Sequence, residues 1–261
     1  MHIKDAHRIV IKIGSSSLTY ENGKPNIQKI ENLAKVISDL KNSGKDVLLV
    51  SSGAIAVGVG RLGLKQRPTE TKEKQALAAI GQCDLMTIYD RAFSSYGYVP
   101  AQILMTRDVV DNEEGRINVI NTIESIIKLG AIPIINENDS VSFEEILFGD
   151  NDKLSAIVAD LAGADGLIIM TDIDGYFDSD PRKDKNAHLI AKVTGITDEM
   201  IENAGGSGSS RGTGGMHTKL EAARFANERG ITVVIMSGEN PAKLYEVFDG
   251  HSVGTQFIAQ K

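Results

Sequence analysis

An α/β fold, with a mostly parallel sheet carrying helices on both faces, is what this sequence predicts, and three observations predict it. Short apolar runs alternate with longer stretches whose apolar residues recur at intervals of three and four, over most of the chain. The short runs are almost continuously apolar, as strands covered on both faces are. Their ends break into Gly, Ser, Asn or Asp, the polar rim of the crevice outside the carboxyl ends of the strands in open α/β sheets. The result is a three-layer αβα sandwich around a mostly parallel central sheet.

The elements follow in order. Arg8 to Ile13 is a β-branched run stopped by Gly14, a first strand. Ile27, Ile30, Leu33, Ile37 and Leu40 mark one face of a helix that Gly44 closes. Asp46 to Val50 is a second strand. Thr71 to Ser95 is helical in composition, Val99 to Leu104 a strand, and Arg116 to Leu129 a helix. Ile132 to Ile135 is a buried strand that opens into the polar loop Asn136-Glu137-Asn138-Asp139. Lys153 to Leu161 is a helix, and Gly166 to Met170 a strand running into Thr171-Asp172. After a glycine-rich segment, Gly205 to Gly215, come a helix from His217 to Glu228, a strand from Thr232 to Met236 and a last helix from Pro241 to Phe248. There is no internal repeat.

Composition narrows the function. A chain of 261 residues buries a full core. A net charge of −7 argues against a nucleic-acid partner bound by phosphate neutralisation. Charges are dispersed, so no disordered tail is indicated. Cys83 is the sole cysteine, which rules out an internal disulfide and fits a reducing compartment. No secretory leader precedes the first strand and no apolar run reaches membrane-spanning length, so the expectation is a cytoplasmic protein with no membrane partner.

Two clusters suit a small, charged, hydrogen-bonding ligand such as an amino acid: Asn136 to Asp139, and Gly149-Asp150-Asn151-Asp152. Asp139 can pair with an ammonium; Asn136 and Asn151 can serve carboxylates or carbonyls. The competing reading is two ordinary Asn/Asp turns. Three places suit phosphates. Lys12-Ile13-Gly14-Ser15-Ser16-Ser17 ends the first strand with small residues and a cation. Val50-Ser51-Ser52-Gly53-Ala54 ends the second and opens a helix, whose N-terminus favours anions. Thr213-Gly214-Gly215-Met216-His217-Thr218-Lys219 leads from the glycine-rich segment into a helix. Each is also readable as a tight turn with a cap. The P-loop pattern is absent. Gly58-Val59-Gly60-Arg61-Leu62-Gly63 matches the dinucleotide fingerprint but does not directly follow a strand, so it reads as coincidence. No His, Cys or Glu set has ligand spacing, and no metal ligands are assigned.

These motifs together resemble the amino-acid kinase family, from Val10 to Phe257, and within it the branch acting on glutamate. Lys12, Thr171-Asp172 and the glycine-rich loop before a helix are shared widely in the family. Ser51-Ser52-Gly53-Ala54-Ile55-Ala56 and Asn136-Glu137-Asn138-Asp139 resemble the glutamate branch alone. Asp180-Pro181-Arg182 and Ser252-Val253-Gly254-Thr255 add to the likeness.

The resemblance implies one domain over residues 1–261, with an amino-acid-binding lobe at about 1–165 and a nucleotide-binding lobe at about 166–261. It implies ATP-dependent phosphorylation of the side-chain carboxylate of L-glutamate, the first step of proline biosynthesis, with magnesium. Lys12 and Lys219 would touch the nucleotide phosphates, with Asp152 orienting them. Ser52, Asp139 and Asn151 would bind glutamate, and Asn136 would line the same pocket. Thr171, Asp172, Thr213, Gly214, Gly215, Met216, His217, Thr218 and Lys219 would hold ATP. The resemblance further implies proline as a feedback inhibitor, a homo-oligomer and functional coupling to glutamate-5-semialdehyde dehydrogenase. Many chains of this branch carry a C-terminal RNA-binding-like domain of the PUA type; this sequence stops where it would begin, so a short form is expected. Lys153 continues the acidic block, and His217 stands where a small residue is usual.

The chemistry agrees with the residue types. A glutamate side chain, with a pKa near 4.3, is ionised at neutral pH and needs no general base. The task is to bring an anionic nucleophile to an anionic triphosphate. Two rivals remain at this point: a kinase of the same fold acting on another acid or on a nucleotide, and a non-catalytic amino-acid sensor.

Overall fold

The computed structural model describes residues 2–141, 151–204 and 215–259, with Arg107 and Asp108 described by backbone alone. Its strands are β1 (Arg8–Ile13), β2 (Asp46–Ser51), β3 (Pro100–Met105), β4 (Ile132–Glu137), β5 (Gly166–Thr171), β6 (Lys192–Val193), β7 (Thr232–Ser237) and β8 (Thr255–Phe257). They form one eight-stranded sheet in the order β3-β4-β2-β1-β5-β7-β8-β6. All pairs are parallel except β7 with β8. The helices are α1 (Ser15–Leu18), α2 (Ile27–Asn42), α3 (Ala54–Leu62), α4 (Thr71–Ser94), α5 (Arg107–Asp111), α6 (Glu113–Lys128), α7 (Asn151–Leu161), α8 (Asp198–Asn203), α9 (Met216–Asn227) and α10 (Lys243–Phe248).

Alternation along the strands divides the core in two. Ile9, Ile11 and Ile13 of β1 pack with Leu33 and Ile37 of α2, Leu85, Tyr89 and Phe93 of α4, and Leu244 of α10. Val10 faces the other way, among Val50, Ile169, Ala156 and Ala159 of α7, and Leu220 and Ala223 of α9. The three-layer sandwich is therefore as predicted. Lys12, two residues after Val10, falls on the α7 and α9 side, and this parity sets its partners.

Helix starts follow local chemistry. Asn26 caps α2 by accepting from Lys29 N at 3.2 Å, Asn112 caps α6 through Glu114 N at 3.0 Å, and Thr197 caps α8 through Met200 N at 3.2 Å. The Asn112 cap explains why α6 begins at Glu113, ahead of the apolar periodicity that suggested Arg116. α7, over the described residues, already includes Asn151 and Asp152, ahead of the expected Lys153.

The largest correction concerns β4. The change from apolar to polar residues after Ile135 suggested a strand end, yet β4 continues to Glu137, because Leu104 and Met105 of β3 pair with Asn136 and Glu137. Backbone pairing does not depend on side-chain polarity, and the buried Asn136 amide is satisfied by other side chains. The short α1, α5, α8, β6 and β8 lack enough residues for a periodic signal. The Gly58 to Gly63 match lies within and just after α3. A Cβ on Gly58 would stand 2.2 Å from Leu77 O, and one on Gly60 2.4 Å from Gly23 O, so these glycines permit backbone packing. No helix of the described residues is long and apolar enough to cross a membrane.

Candidate active site

The chain leaves β1 for β2 on one side and later returns to β5 on the other, so the switch in strand order lies beside β1. Lys12, Ser51, Asn136 and Thr171 occupy the carboxyl-terminal ends of β1, β2, β4 and β5. Helices α3, α7 and α9 point their N-termini from the same end, where the helix dipole favours anions.

Three charges meet there. Asp152, in the first turn of α7, is fully buried. Its Oδ1 lies 2.5 Å from Lys12 Nζ, and its Oδ2 accepts from Lys219 Nζ at 2.9 Å. Thr218 Oγ1 donates to the same Oδ2 at 3.3 Å, and Ser155 Oγ donates to Asp152 O at 2.6 Å. Both lysines are only 4% exposed, so each charge is held away from bulk water. Buried charges demand partners. One carboxylate facing two ammonium groups leaves a local excess of positive charge, suited to phosphate oxygens.

A second cluster is built from amides. Asn151 Nδ2, at the start of α7, lies 3.0 Å from Ser51 O, 3.0 Å from Ser52 Oγ and 2.9 Å from Asn136 Oδ1. Asn136 Oδ1 also accepts from Glu137 N at 2.9 Å, while Asn136 Nδ2 donates to Gln82 Oε1 at 2.9 Å. Beneath it, the fully buried Tyr89 hydroxyl lies 2.8 Å from Ser51 Oγ. Burial pushes the Tyr89 phenol above its ordinary value, and the Ser51 hydrogen bond opposes that only in part. Gly53, the residue before α3, has φ 104°, a left-handed conformation that lets the chain turn from Ser52 into the helix.

Asp139 lies beside this cluster. It lines a cavity of about 220 Å³ together with Glu137, Asn138, Ser140, Ala54, Gln82, Cys83, Gln102 and Leu104. The predicted residues thus form two adjoining groups, linked because Asn151 and Asp152 are neighbours on one helix. Thr171 is buried at the end of β5, its Oγ1 donating to Asp172 Oδ1 at 3.1 Å and its carbonyl accepting from Gly238 N at 2.7 Å. Gly215 precedes α9 and Met216 opens it. His217 turns aside, with Nδ1 at 2.9 Å from Ile201 O of α8 and Nε2 at 3.6 Å from Glu221. Thr213 and Gly214, with the rest of the Gly205–Gly214 segment, and Gly149 and Asp150 lie outside the described residues.

Gln82 and Tyr89 were missed by sequence reasoning. Each is a single polar residue inside α4, whose composition signals only a helix. Among the described residues no group of three or more His, Cys, Asp or Glu is arranged to hold a metal ion.

Comparison with known proteins gives the family. Residues 7–237 match the model of the amino acid kinase family. A glutamate 5-kinase of Clostridium perfringens is 53% identical over 99% of this chain and 98% of its own length. Glutamate 5-kinases of Listeria innocua and Enterococcus faecalis are 48% and 47% identical, over 99% and 98% of this chain and 95% and 96% of theirs. Among solved structures, UMP kinase from Bacillus anthracis aligns over 98% of this chain and 97% of its own with a TM-score of 0.66 at 16% identity. The isopentenyl phosphate kinase of T. acidophilum covers 96% of this chain and 99% of its own at 0.65, also with 16% identity. At that identity the two structures share the fold alone. By the family model and the near-full-length relatives, the chain belongs to the amino acid kinase family, in its glutamate 5-kinase branch.

Proposed function

We propose that this protein transfers the γ-phosphoryl group of ATP to the side-chain carboxylate of L-glutamate, giving L-glutamyl 5-phosphate and ADP, the first step of proline biosynthesis. The observation that carries the reading is the Lys12–Asp152–Lys219 cluster, joined through Asn151 to the amide cluster at Asn136 and Ser52.

The division of labour follows from the groups. Lys12 and Lys219 face the transferring phosphoryl group and neutralise charge as it develops. Asp152 holds both ammonium groups in place. Ser52, whose hydroxyl oxygen accepts from Asn151 Nδ2, and the amino group of Asn136 hold the acceptor carboxylate, which attacks without a base because it is already ionised. Asp139 pairs with the substrate ammonium. Thr171, Asp172 and the residues Thr213 to Lys219 hold the nucleotide, with an amino-acid lobe at about 1–165 and a nucleotide lobe at about 166–261. Magnesium enters as the chelate of ATP. Its ligands would be phosphate oxygens and water, the usual way this ion is bound with a nucleotide. When bound, the ion shields the phosphate charge from the incoming carboxylate. Proline carries the same α-amino acid group as glutamate and competes for its pocket.

The test is ADP release across L-glutamate, L-aspartate, acetylglutamate and uridine monophosphate, each with ATP and magnesium. Release with glutamate alone supports the reading. Equal turnover on acetylglutamate or on the nucleotide overturns it, and glutamate binding without ADP release would favour a sensor.

A further inference from the structure

The amide cluster has a direction, and the direction ends in the cavity. Ser51 O is a carbonyl and can only accept, so Asn151 must present its amino group to it at 3.0 Å. Glu137 N can only donate, so Asn136 must present its carbonyl oxygen, 2.9 Å from Glu137 N and 2.9 Å from Asn151 Nδ2. Asn136 then has only its amino group for Gln82, which must answer with Oε1 at 2.9 Å. Backbone atoms therefore fix every amide in the chain, Gln82 included. Its remaining end, Nε2 with two N–H donors, makes no hydrogen bond among the described residues, and Gln82 lines the same cavity as Asp139.

We propose that Gln82 Nε2 binds the α-carboxylate of the substrate amino acid and makes the site select for a free one. The inference rests on the functional reading above. A substrate whose ammonium meets Asp139 carries its α-carboxylate on the same carbon, next to that contact. The side-chain carboxylate is at the far end, toward Ser52 and Lys12. An acceptor-only group beside Asp139 needs donors, and the amide relay supplies two, held in one orientation.

The test compares the wild-type protein with Gln82→Glu on two substrates, L-glutamate and L-isoglutamine, in which the α-carboxylate is an amide and the side-chain carboxylate is kept. A glutamate side chain at position 82 still accepts from Asn136 Nδ2, so the relay and the fold are retained. It replaces the two donors with an acceptor, which opposes an α-carboxylate and suits an α-amide. The wild type is expected to favour L-glutamate over L-isoglutamine. In Gln82→Glu, kcat/KM for L-glutamate should fall about 10- to 100-fold, the usual worth of a hydrogen bond to a charged group. For L-isoglutamine it should hold or rise, so the preference shifts by at least about tenfold. The KM for ATP and the melting temperature, read on both proteins, should stay close to wild type. Gln82→Met, which loses both ends of the amide, should weaken both substrates. An equal loss on both substrates in Gln82→Glu would make Gln82 a support for Asn136 only, and no loss would remove it from the site; either result overturns the inference. Wild-type turnover of L-glutamate, measured in the same assay, separates these outcomes from failure of the kinase reading itself.

Discussion

Replacing Lys219 by Met separates catalysis from stability. Lys219 is 4% exposed and its Nζ lies 2.9 Å from Asp152 Oδ2. The substitution keeps most of the apolar stem and removes the charge. Asp152 is not orphaned by it, because Lys12 remains at 2.5 Å and Thr218 Oγ1 at 3.3 Å. The fold loses one hydrogen bond between charged groups, about 1.5–3 kcal/mol. It also no longer buries a second ammonium, whose desolvation offsets part of that loss. The net cost should be no more than about 2 kcal/mol, which at about 2–4 °C per kcal/mol for a chain near this size lowers Tm by a few degrees. Catalysis should suffer more. Removing a preorganised electrostatic group typically lowers kcat by about 10²–10³. The assay is ADP release at saturating ATP and glutamate, with calorimetric unfolding on the same preparation and glutamate binding by titration. Glutamate binding should survive. Turnover within about threefold of wild type would refute the reasoning, since the effect claimed is some hundredfold, and the start of α9 would then be structural only.

Three further outcomes follow from the same contacts. Asp152→Asn leaves two buried ammonium groups without their carboxylate, so thermal unfolding should show a loss of about 3–5 kcal/mol, larger than for Lys219→Met; a smaller loss would mean the lysines are not held by that charge. Asp139→Ala should raise KM for glutamate about 10- to 100-fold with KM for ATP little changed, as steady-state kinetics will read; parallel changes in both would displace the ammonium site. Tyr89 contributes to the alkaline limb of stability. Its phenol is held above the ordinary value of 10.0, so the folded state favours the neutral form. The stability this gives is fully present below pH 10.0 and is lost as pH rises through the raised folded value. In alkaline denaturation Tyr89→Phe should therefore fall less steeply than wild type, while costing about 1 kcal/mol at neutral pH for the lost Ser51 hydrogen bond; identical alkaline slopes would contradict this.

The sheet and its layers were legible because burial on both faces writes long apolar runs, as in β1, β2, β5 and β7. The site residues were legible as types, since Lys12, Ser52 and Asn151 stand at strand ends or helix starts where polar groups need a reason. Their pairing was not. That Asp152 holds both lysines depends on the parity that puts Lys12 on the α7 and α9 side, and parity decides partners only once the helices are placed. The end of β4 is not legible in the sequence, because side-chain polarity changes after Ile135 while backbone pairing to β3 carries the strand on to Glu137. Gln82 left no trace, because a lone amide within a helix looks like any solvated position until Asn136 is seen beside it. Thr213 and Gly214 remain sequence expectations.

The central claim is transfer of phosphate to a carboxylate, and its product is an acyl phosphate that hydroxylamine captures. With wild-type protein, ATP, magnesium, L-glutamate and excess hydroxylamine, the claim predicts γ-glutamyl hydroxamate forming in step with ADP, one for one, and neither forming when glutamate is omitted. ADP released without hydroxamate would contradict it.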